Sequence, residues 1–324
     1  MVKAIVIRKT GGPEVMEYVD VEVGEPGPGE VRIRHAAIGV NFIDIYFRIG
    51  LYPQPLPSGL GQEGAGVVES VGLGVLGFKP GDRVAYAGRP NGSYSEARLM
   101  PAAMLVKLPD TISYDIAAAA LLQGLTVQYL FGRTFPVKEG DTVLFHAAAG
   151  GVGLIAAQWA RALGVKMIGT VSSDEKKALA LAAGCSHVIN SKTENIVERV
   201  KEFTDGKGVP AVFDSIGKDT FIDSLDCLSP LGTMVSFGSS SGTVPPFSLN
   251  ELASRGSLSI TRPSLPHYIG TRADLDSAAA DLFKMIDSKK ITIDINQRYA
   301  LSDVGQAHMD LEARKTTGCT ILIP

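Results

Sequence analysis

The segment from Thr142 to Gly153 constrains the fold of this chain more than any other part of the sequence. It reads as a short apolar strand, Thr142–His146, then a loop of alanine and glycine, and then a helix that begins at Val152. Glycine allows the backbone to turn tightly and to approach a neighbouring group closely. A strand that passes through such a loop into a helix opens a βαβ unit, so this segment predicts a parallel sheet.

Strands and helices alternate regularly around this segment. The predicted elements are, in chain order, helix Gln123–Phe135, strand Thr142–His146, helix Val152–Leu163, strand Lys166–Val171, helix Glu175–Ala183, strand His187–Asn190, helix Glu194–Thr204, strand Ala211–Asp214, helix Asp219–Leu228, strand Thr233–Phe237 and strand Leu258–Thr261. This alternation is typical of a doubly wound α/β fold, in which helices cover both faces of a parallel sheet.

The preceding residues, 1–122, are β-rich instead. Short β-branched segments alternate there with turns that contain glycine and proline, and they predict strands Ala4–Ile7, Val31–Ala36, Gly64–Val71 and Arg83–Ala85. Glycine makes up 36 of the 324 residues, against an average of about 7%, and part of this excess lies in these turns. Many short strands with such turns indicate a barrel-like fold. The C-terminal part predicts helix Ala273–Ser288, strand Asn296–Tyr299, helix Ser302–Glu312 and strand Cys319–Ile323.

Charge and cysteine content exclude several classes of protein. The net charge of −3 gives no electrostatic basis for binding nucleic acid. The three cysteines, Cys185, Cys227 and Cys319, are few and widely spaced, so we expect buried thiols and no disulfide framework. The N-terminus is too short and too charged for a signal peptide, and no apolar stretch reaches the ~18 residues of a membrane span. We therefore expect a cytoplasmic protein with no membrane partner.

The glycine loop matches most of the dinucleotide-binding fingerprint G-x-G-x-x-G. It reads Ala148-x-Gly150-x-x-Gly153, with alanine at the first glycine position. Gly150 would let the backbone approach a pyrophosphate, Gly153 would let the helix pack on the strand, and the helix N-terminus offers free N–H groups. The predicted cofactor contacts in this loop are Ala149, Gly150, Gly151, Val152 and Gly153. The alternative is a tight glycine turn that binds no ligand.

The residues after the second strand bear on which dinucleotide would bind. An acidic side chain there would hold the ribose hydroxyls of NAD. The strand is followed instead by Ser172 and Ser173, and Lys176 or Lys177 could neutralise a 2′-phosphate. This favours NADPH. Two alternatives remain open: Ser172-x-x-Glu175 could be only a capping box with lysines on a solvated helix face, and Asp174 could serve the NAD ribose.

Over its full length, the sequence resembles the medium-chain dehydrogenase/reductase superfamily, and within it the zinc-independent quinone oxidoreductases related to zeta-crystallin. The segments that carry the resemblance are Ala37–Asp44, Pro57–Gly66, Lys79–Val84, Ala147–Gly153 and Thr261–Leu265. The resemblance implies a GroES-like β-rich catalytic domain formed by residues 1–122 and 263–324. It also implies a Rossmann domain, residues 123–262, that binds NADPH.

Zinc-containing members of this superfamily carry a cysteine in the first of these segments and a histidine in a G-H-E motif. This chain has no cysteine before Cys185, and Gln62 stands at the histidine position. Its five histidines show no metal-ligand spacing. We therefore expect no zinc and no polarisation of the substrate by a metal. The acceptor must already be electrophilic, as a quinone or an activated alkene is.

The resemblance also assigns roles to single residues. It places Asn41, Tyr46 and Tyr52 at the substrate pocket, where an amide or phenol could donate a hydrogen bond to a quinone oxygen; the alternative for the tyrosines is packing. It implies cofactor contacts by Asn41, Thr126, Lys176, Phe237, Gly238, Ser240 and Arg314. Ser172, Ser173 and Ser191 complete the predicted cofactor contacts. Ser191 departs from relatives that carry a tyrosine there, and Arg314 could instead be a surface charge at a helix end.

The leading hypothesis is therefore a zinc-independent NADPH:quinone oxidoreductase. One alternative is an NADPH-dependent reductase of α,β-unsaturated carbonyls. Another is a non-catalytic NADPH-binding relative with a structural or RNA-binding role, although the negative net charge gives this little support. We also expect a homodimer, with Leu258–Thr261 at the sheet edge as a pairing surface.

Overall fold

The computed structural model describes all 324 residues, and its internal contacts divide the chain into two compact units. The first unit comprises Met1–Leu125, Ile269–Asp287 and Ile293–Pro324, and the second comprises Thr126–Tyr268 and Ser288–Thr292. None of the helices is long and apolar enough to cross a lipid bilayer.

The secondary structure consists of sixteen strands and ten α-helices. The strands are β1 (Val2–Ile7), β2 (Met16–Val21), β3 (Glu30–Val40), β4 (Ser58–Gly59), β5 (Glu63–Val71), β6 (Arg83–Ala87), β7 (Ala97–Pro101), β8 (Val106–Lys107), β9 (Thr142–Phe145), β10 (Lys166–Val171), β11 (His187–Asn190), β12 (Val209–Asp214), β13 (Leu228–Ser236), β14 (Ser259–Thr261), β15 (Ile295–Ala300) and β16 (Cys319–Ile323). The helices are α1 (Phe42–Arg48), α2 (Tyr114–Tyr129), α3 (Gly151–Ala162), α4 (Asp174–Ala183), α5 (Ile196–Phe203), α6 (Phe221–Asp226), α7 (Asn250–Ser254), α8 (Leu265–Tyr268), α9 (Arg272–Asp287) and α10 (Val304–Glu312).

The first unit contains two β-sheets. One has seven strands in the order β15-β16-β3-β5-β6-β8, with β7 paired to β3, and the other has three strands in the order β2-β1-β4. All of these pairings are antiparallel except that of β15 with β16. The β-branched residues that predicted strands point into apolar clusters, as Val31 and Ile33 do beside Val68 and Tyr86. The barrel-like, β-rich fold expected from the sequence is confirmed.

The second unit is built on a six-stranded parallel sheet in the order β11-β10-β9-β12-β13-β14. Its strands are apolar and buried on both faces because helices cover the sheet. The order reverses at β9, and ligands of such sheets bind at the carboxyl ends of the strands beside this switch point. The doubly wound α/β fold predicted from the alternation is confirmed.

Several element boundaries differ from the predicted ones. Helix α2 begins at Tyr114 and not at Gln123, and it passes into a π-helical turn over Leu130–Thr134. Its first half contains four consecutive buried alanines, Ala117–Ala120, which show no amphipathic period. Helix α5 begins two residues later than predicted, because the side chain of Asn195 accepts a hydrogen bond from the Glu198 N–H at 3.1 Å and caps the helix there.

Candidate functional site

The glycine loop of the second unit connects β9 to α3. Within this loop, Ala147 has a φ of +56°, a conformation that is uncommon for alanine and marks a tight turn. A Cβ atom added to Gly153 would lie 2.4 Å from the Ala147 carbonyl oxygen, so only glycine fits where the helix crosses the strand end. A Cβ added to Gly150 would meet only that same oxygen, at 3.4 Å. The backbone at Gly150 is therefore open to a ligand at the N-terminus of α3.

Alanine at the first fingerprint position is accommodated by the neighbouring strand. A Cβ atom added to Gly169, on β10, would lie 2.6 Å from the Cβ of Ala148. Because residue 169 is glycine, there is room on β10 for the methyl group of Ala148. The departure from G-x-G-x-x-G consequently leaves the loop geometry intact.

A buried chain of polar side chains holds this loop against its neighbours. The Ser224 hydroxyl donates to the Asp214 carboxylate at 2.7 Å, so its oxygen accepts from the His146 Nε2–H at 3.0 Å. The Nδ1 of this histidine then accepts from the Thr170 hydroxyl at 3.0 Å. Burial lowers the pKa of His146, which keeps the ring neutral in this arrangement.

Asp214 also organises the loop that follows β12. Its Oδ1 accepts hydrogen bonds from the N–H groups of Ile216 and Gly217, at 2.7 and 3.0 Å. Burial acts to raise the pKa of the carboxyl, but the hydrogen bonds that it accepts from Gly217, Ser224 and Thr220 hold it below its usual value. One ionised side chain therefore fixes two loops at the carboxyl edge of the sheet. No local pattern in the sequence indicates this role.

The residues after β10 and β11 form a second polar group at the same edge. Ser191 donates to the Val171 carbonyl through both its N–H, at 2.9 Å, and its hydroxyl, at 3.0 Å. The predicted capping box at Ser172 is wrong by one residue: Ser173 caps α4 and its hydroxyl oxygen accepts from the Lys176 N–H. Asp174 accepts a hydrogen bond from Asn190.

The two lysines of α4 are in different surroundings. Lys177 forms an ion pair with Glu194 at 3.1 Å, whereas Lys176 lies half-buried in the first turn, beside Ser173. The choice of Lys176 as the lysine that binds a 2′-phosphate, made from the sequence, stays a prediction.

The end of β13 completes this edge. Phe237 donates its N–H to the Asp214 carbonyl at 2.8 Å, and Ser240 donates its own to the Ser215 carbonyl at 3.2 Å. A Cβ added to Gly238 would lie 2.4 Å from that Ser215 carbonyl. The predicted residues of the second unit therefore meet along one sheet edge, except Thr126, which is buried in α2.

Asn41, in the first unit, stands at the junction of β3 and α1. Its backbone N–H donates to Asp44 Oδ2 at 2.9 Å, and this reciprocal cap begins the helix. Its side chain is buried, with 6% exposed, and its Nδ2 donates to Glu63 Oε2 at 2.7 Å. Gln123 Nε2 donates to Asn41 Oδ1 at 3.2 Å. Sequence reasoning did not identify Glu63 or Gln123 as functional residues.

Tyr46 and Tyr52 lie together in an aromatic group with Phe42 and Phe47. The ring centroids of the two tyrosines are 5.2 Å apart, and Tyr52 donates its backbone N–H to the Tyr46 carbonyl at 3.1 Å. Tyr46 is 6% exposed and Tyr52 is half-buried. The two rings pack edge-on against each other, so the packing role foreseen for them is present. A hydroxyl contact between either tyrosine and a substrate stays a prediction.

A second hydrogen-bonded chain lies behind α1. Tyr94 donates its hydroxyl to Asp44 at 2.8 Å and accepts from His308 at 2.9 Å, while Arg48 donates to the other ring nitrogen of His308 at 3.0 Å. Burial raises the pKa of Asp44 to about 7. Arg314 lies nearby in sequence but is exposed, just beyond the end of α10.

Gln62 occupies the position at which zinc dehydrogenases have a histidine. Its Nε2 donates to Asn91 Oδ1 at 2.7 Å. No group of three or more His, Cys, Asp and Glu side chains is arranged to hold a metal ion. All three cysteines are buried free thiols, and burial raises the pKa of Cys185 and Cys227 to about 12.

Comparison with known proteins extends these observations to the whole chain. Residues 27–110 match the family model "Alcohol dehydrogenase GroES-like domain", and residues 151–283 match "Zinc-binding dehydrogenase". A quinone oxidoreductase of Pseudomonas aeruginosa is 54% identical over the full length of both chains. The chain belongs to the quinone oxidoreductases of the medium-chain dehydrogenase/reductase superfamily.

Other members of the family show how closely the fold is shared. The crystal structure of Escherichia coli quinone oxidoreductase complexed with NADPH is 50% identical and has a TM-score of 0.98, with 99% of this chain and all of the other covered. A 2-haloacrylate reductase of Burkholderia is 46% identical, covering all of this chain and 99% of its own. The GroES-like and Rossmann folds that the sequence implied are confirmed.

Proposed function

We propose that this protein is a zinc-independent NADPH:quinone oxidoreductase. The observation that carries the proposal is the full-length identity of 50–54% to proteins named quinone oxidoreductase, one of them solved with NADPH. When bound, NADPH supplies the hydride. The protein then has to bind the cofactor, orient the acceptor and donate hydrogen bonds to the oxygen that gains charge.

The carboxyl edge of the parallel sheet fits such a cofactor. Gly150 leaves the backbone open at the N-terminus of α3, where N–H groups favour a pyrophosphate. We propose that Lys176 binds the 2′-phosphate, together with the serines that follow β10 and β11. The loop Phe237–Ser240 lies at the end of β13, and we propose that it contacts the nicotinamide half. Thr126 and Arg314 are proposed as further contacts on the grounds of the family resemblance.

The acceptor would be held by the residues around α1. We propose that Asn41 donates an amide N–H to a quinone oxygen, and that Tyr46 and Tyr52 line the flat pocket. An aromatic group with one buried amide suits a planar apolar acceptor that has carbonyl oxygens at its edge. The negative net charge of −3 gives no support to a nucleic-acid partner.

The function is tested by following NADPH oxidation with and without 1,4-naphthoquinone. We expect oxidation that depends on the quinone and is unchanged by EDTA, with NADH a poorer donor. A 2-haloacrylate and an alkenal are assayed in parallel. Turnover of these alkenes with none of the quinone would overturn the proposal in favour of an activated-alkene reductase.

We further propose that the protein works as a cytoplasmic homodimer. Strand β14 is the last of its sheet and pairs on one side only, with β13. An unpaired strand edge is a ready surface for association with a second copy. Size-exclusion chromatography with light scattering is expected to give twice the chain mass of 34.2 kDa, and a monomer at assay concentration would contradict this.

A further inference from the structure

Glu63 is a fully buried carboxylate that the proposed function does not yet use. Its side chain has no exposed surface and lies where β5 begins, next to Gly39 of β3. A Cβ added to Gly39 would lie 2.4 Å from Glu63 Oε2, so the sequence leaves space for the carboxylate at this point. Burying a charged group is costly unless it is well bonded. The partners of Glu63 therefore call for a functional explanation.

These partners form a line of hydrogen bonds with a fixed direction. Glu63 Oε1 accepts from the Leu122 N–H and Oε2 accepts from Asn41 Nδ2, both at 2.7 Å. An ionised carboxylate only accepts, so it turns the nitrogen of the Asn41 amide toward itself. The oxygen of that amide then faces Gln123, whose Nε2 donates to it at 3.2 Å.

The line continues from Gln123 to Cys319. With its nitrogen committed to Asn41, Gln123 presents its Oε1 to Cys319, whose thiol donates to it at 3.2 Å. Amide oxygen and nitrogen are otherwise nearly interchangeable in shape, so only their hydrogen-bond partners decide which way they point. Every amide in this line points in the direction that an acceptor at position 63 requires.

Burial and hydrogen bonding have opposite effects on the pKa of the Glu63 carboxyl group. Burial raises the pKa of its carboxyl to about 8, whereas the hydrogen bonds from Asn41 and Leu122 act to lower it. Both of these partners donate, so both stabilise the ionised form. The experiments below are therefore run at a pH of about 9, where the carboxyl is ionised.

One amide hydrogen of Asn41 is left for a ligand. Its Nδ2 carries two hydrogens, and Glu63 takes one of them. If the amide were reversed, the same place would present an oxygen, which repels a quinone oxygen that is gaining negative charge. The direction of the line thus decides whether Asn41 can stabilise the reduced acceptor.

We propose that Glu63 is a positioning residue that, with Gln123, orients the Asn41 amide so that it presents an N–H to the acceptor. The proposal deepens the proposed function and rests on it. Glu63 does not touch the acceptor; it acts through Asn41.

The first test is Glu63→Gln. A glutamine can still accept from the Leu122 N–H, but it offers an N–H to Asn41, so Asn41 and Gln123 both reverse and Cys319 becomes a weak acceptor. The hydrogen bonds are retained, and the protein is expected to fold. We expect kcat with quinone to fall by about 100-fold, the loss typical of one donor to a developing oxyanion.

The matched control is Glu69→Gln. Glu69 lies on the same strand, where it is bonded to Arg32 and Arg34 and has no part in the line of amides. This variant removes a carboxylate from β5 without changing the direction of Asn41. We expect its kcat with quinone to equal that of the wild type, and wild-type kcat in E63Q as well would overturn the proposal.

The second test moves the carboxylate to the other end of the amide. In the double variant E63Q/Q123E, the new carboxylate at position 123 accepts from Asn41 and from Cys319 and locks the reversed orientation, while the buried charge is restored. We expect kcat to stay low. Recovery of wild-type kcat would overturn the proposal, because the loss in E63Q would then come from the missing charge and not from the direction of Asn41.

A readout that needs no turnover separates this proposal from the proposed function. The side-chain amide signals of Asn41 in a ¹H–¹⁵N spectrum of the cofactor-free protein, assigned by their loss in Asn41→Ser, should shift in E63Q and stay in place in E69Q. Unshifted signals in E63Q would overturn the orienting role. If the wild type does not oxidise NADPH with quinone, the proposed function fails, and this spectrum still decides whether Glu63 orients the amide.

Discussion

Two glycines of the cofactor loop serve different physical purposes although they lie three residues apart. At Gly153 an added methyl group would overlap the backbone of the preceding loop, whereas at Gly150 it would have only the Ala147 carbonyl oxygen within 4 Å, where we propose that the cofactor binds. Substitution by alanine should therefore separate folding from cofactor binding.

Gly153→Ala is expected to lower the free energy of unfolding by about 1–3 kcal/mol, the usual effect of overpacking. Gly150→Ala should unfold like the wild type but raise the Kd for NADPH at least about tenfold. Urea unfolding and fluorescence titration measure the two quantities. Gly305→Ala, in open space on α10, serves as the control and should be neutral or slightly stabilising. Equal losses of stability in G150A and G153A would contradict this division.

The proposed preference for NADPH over NADH can also be tested at single residues. Lys176 and Lys177 both lie in the first half of α4, beside the Ser173 cap, and Lys177 also forms an ion pair with Glu194. Lys176→Ala should raise KM for NADPH by about tenfold, corresponding to the loss of one charge-assisted hydrogen bond, and should leave KM for NADH unchanged. Steady-state kinetics with both cofactors measure this, with Lys177→Ala as the matched variant. A larger effect of K177A would assign the phosphate to the other lysine.

At the scale of elements, the side chains of Thr170, His146, Ser224 and Asp214 connect β10, the end of β9, α6 and β12 beneath the cofactor loops. The Ser224 hydroxyl both donates and accepts in this chain, so its removal takes a partner from two buried groups. A buried polar group that loses its partner lowers the free energy of unfolding by more than the hydrogen bond itself contributes to it.

Ser224→Ala is expected to lower the free energy of unfolding by about 1–3 kcal/mol and to weaken NADPH binding, because His146 and Asp214 each border a cofactor loop. Urea unfolding and NADPH titration check the two effects. Ser254→Ala, which removes an exposed hydroxyl from α7, should change neither. Unaltered stability in S224A would show that a water molecule replaces the hydroxyl.

Element boundaries show where sequence-based prediction succeeds. The limits of β10, β11 and β16 were predicted to the residue, since glycine, serine, proline or a charged residue bounds each apolar stretch. Helix α1 was not predicted, because its seven residues are mostly aromatic or β-branched and such residues have low helix propensity. The spacing of Asn41 and Asp44, an N-cap residue and an acid three positions later, was the available signal.

The candidate site could be predicted only where its chemistry is local. The glycine loop is continuous in sequence, so its spacing is readable. The partners of Asn41 are not, because Glu63 lies 22 positions away and Gln123 lies 82 positions away. No pattern in the sequence indicates that β3, β5 and α2 bring these three side chains together. Only the packed structure of the first unit does so.

At the scale of the molecule, the first unit joins segments from both ends of the chain through buried polar groups. Burial, together with the charge of Arg48, lowers the pKa of His308 to about 3, so the ring stays neutral when the protein is folded. An unfolded histidine takes up a proton below a pH of about 6.5. Protons therefore favour the unfolded chain, and this contribution to stability is lost as the pH falls from about 6.5 toward 3.

His308→Gln tests this pH dependence. Glutamine can accept from Arg48 and donate to Tyr94, but it does not titrate. Below a pH of about 6.5, the wild type should lose stability relative to H308Q by about 1.4 kcal/mol per pH unit. Both proteins keep Asp44 and Glu63. Their raised pKa values lower the free energy of unfolding as the pH rises, which is the opposite of the effect of His308, and they do so equally in both proteins. Urea unfolding at a series of pH values measures the difference in the free energy of unfolding. If this free energy changed with pH in the same way in both proteins, His308 would not be the source of the pH dependence.

The pairing of Ala148 with Gly169 also limits the order in which this protein can mutate. While position 148 holds alanine, a methyl group at position 169 would overlap it, so Gly169→Ala is expected to be harmful on its own. If position 148 first became glycine, the nearest atom to the same methyl group at position 169 would be the Cys185 sulfur, 3.0 Å away. The two positions are thus epistatic: we expect Gly169→Ala to be tolerated only after Ala148→Gly.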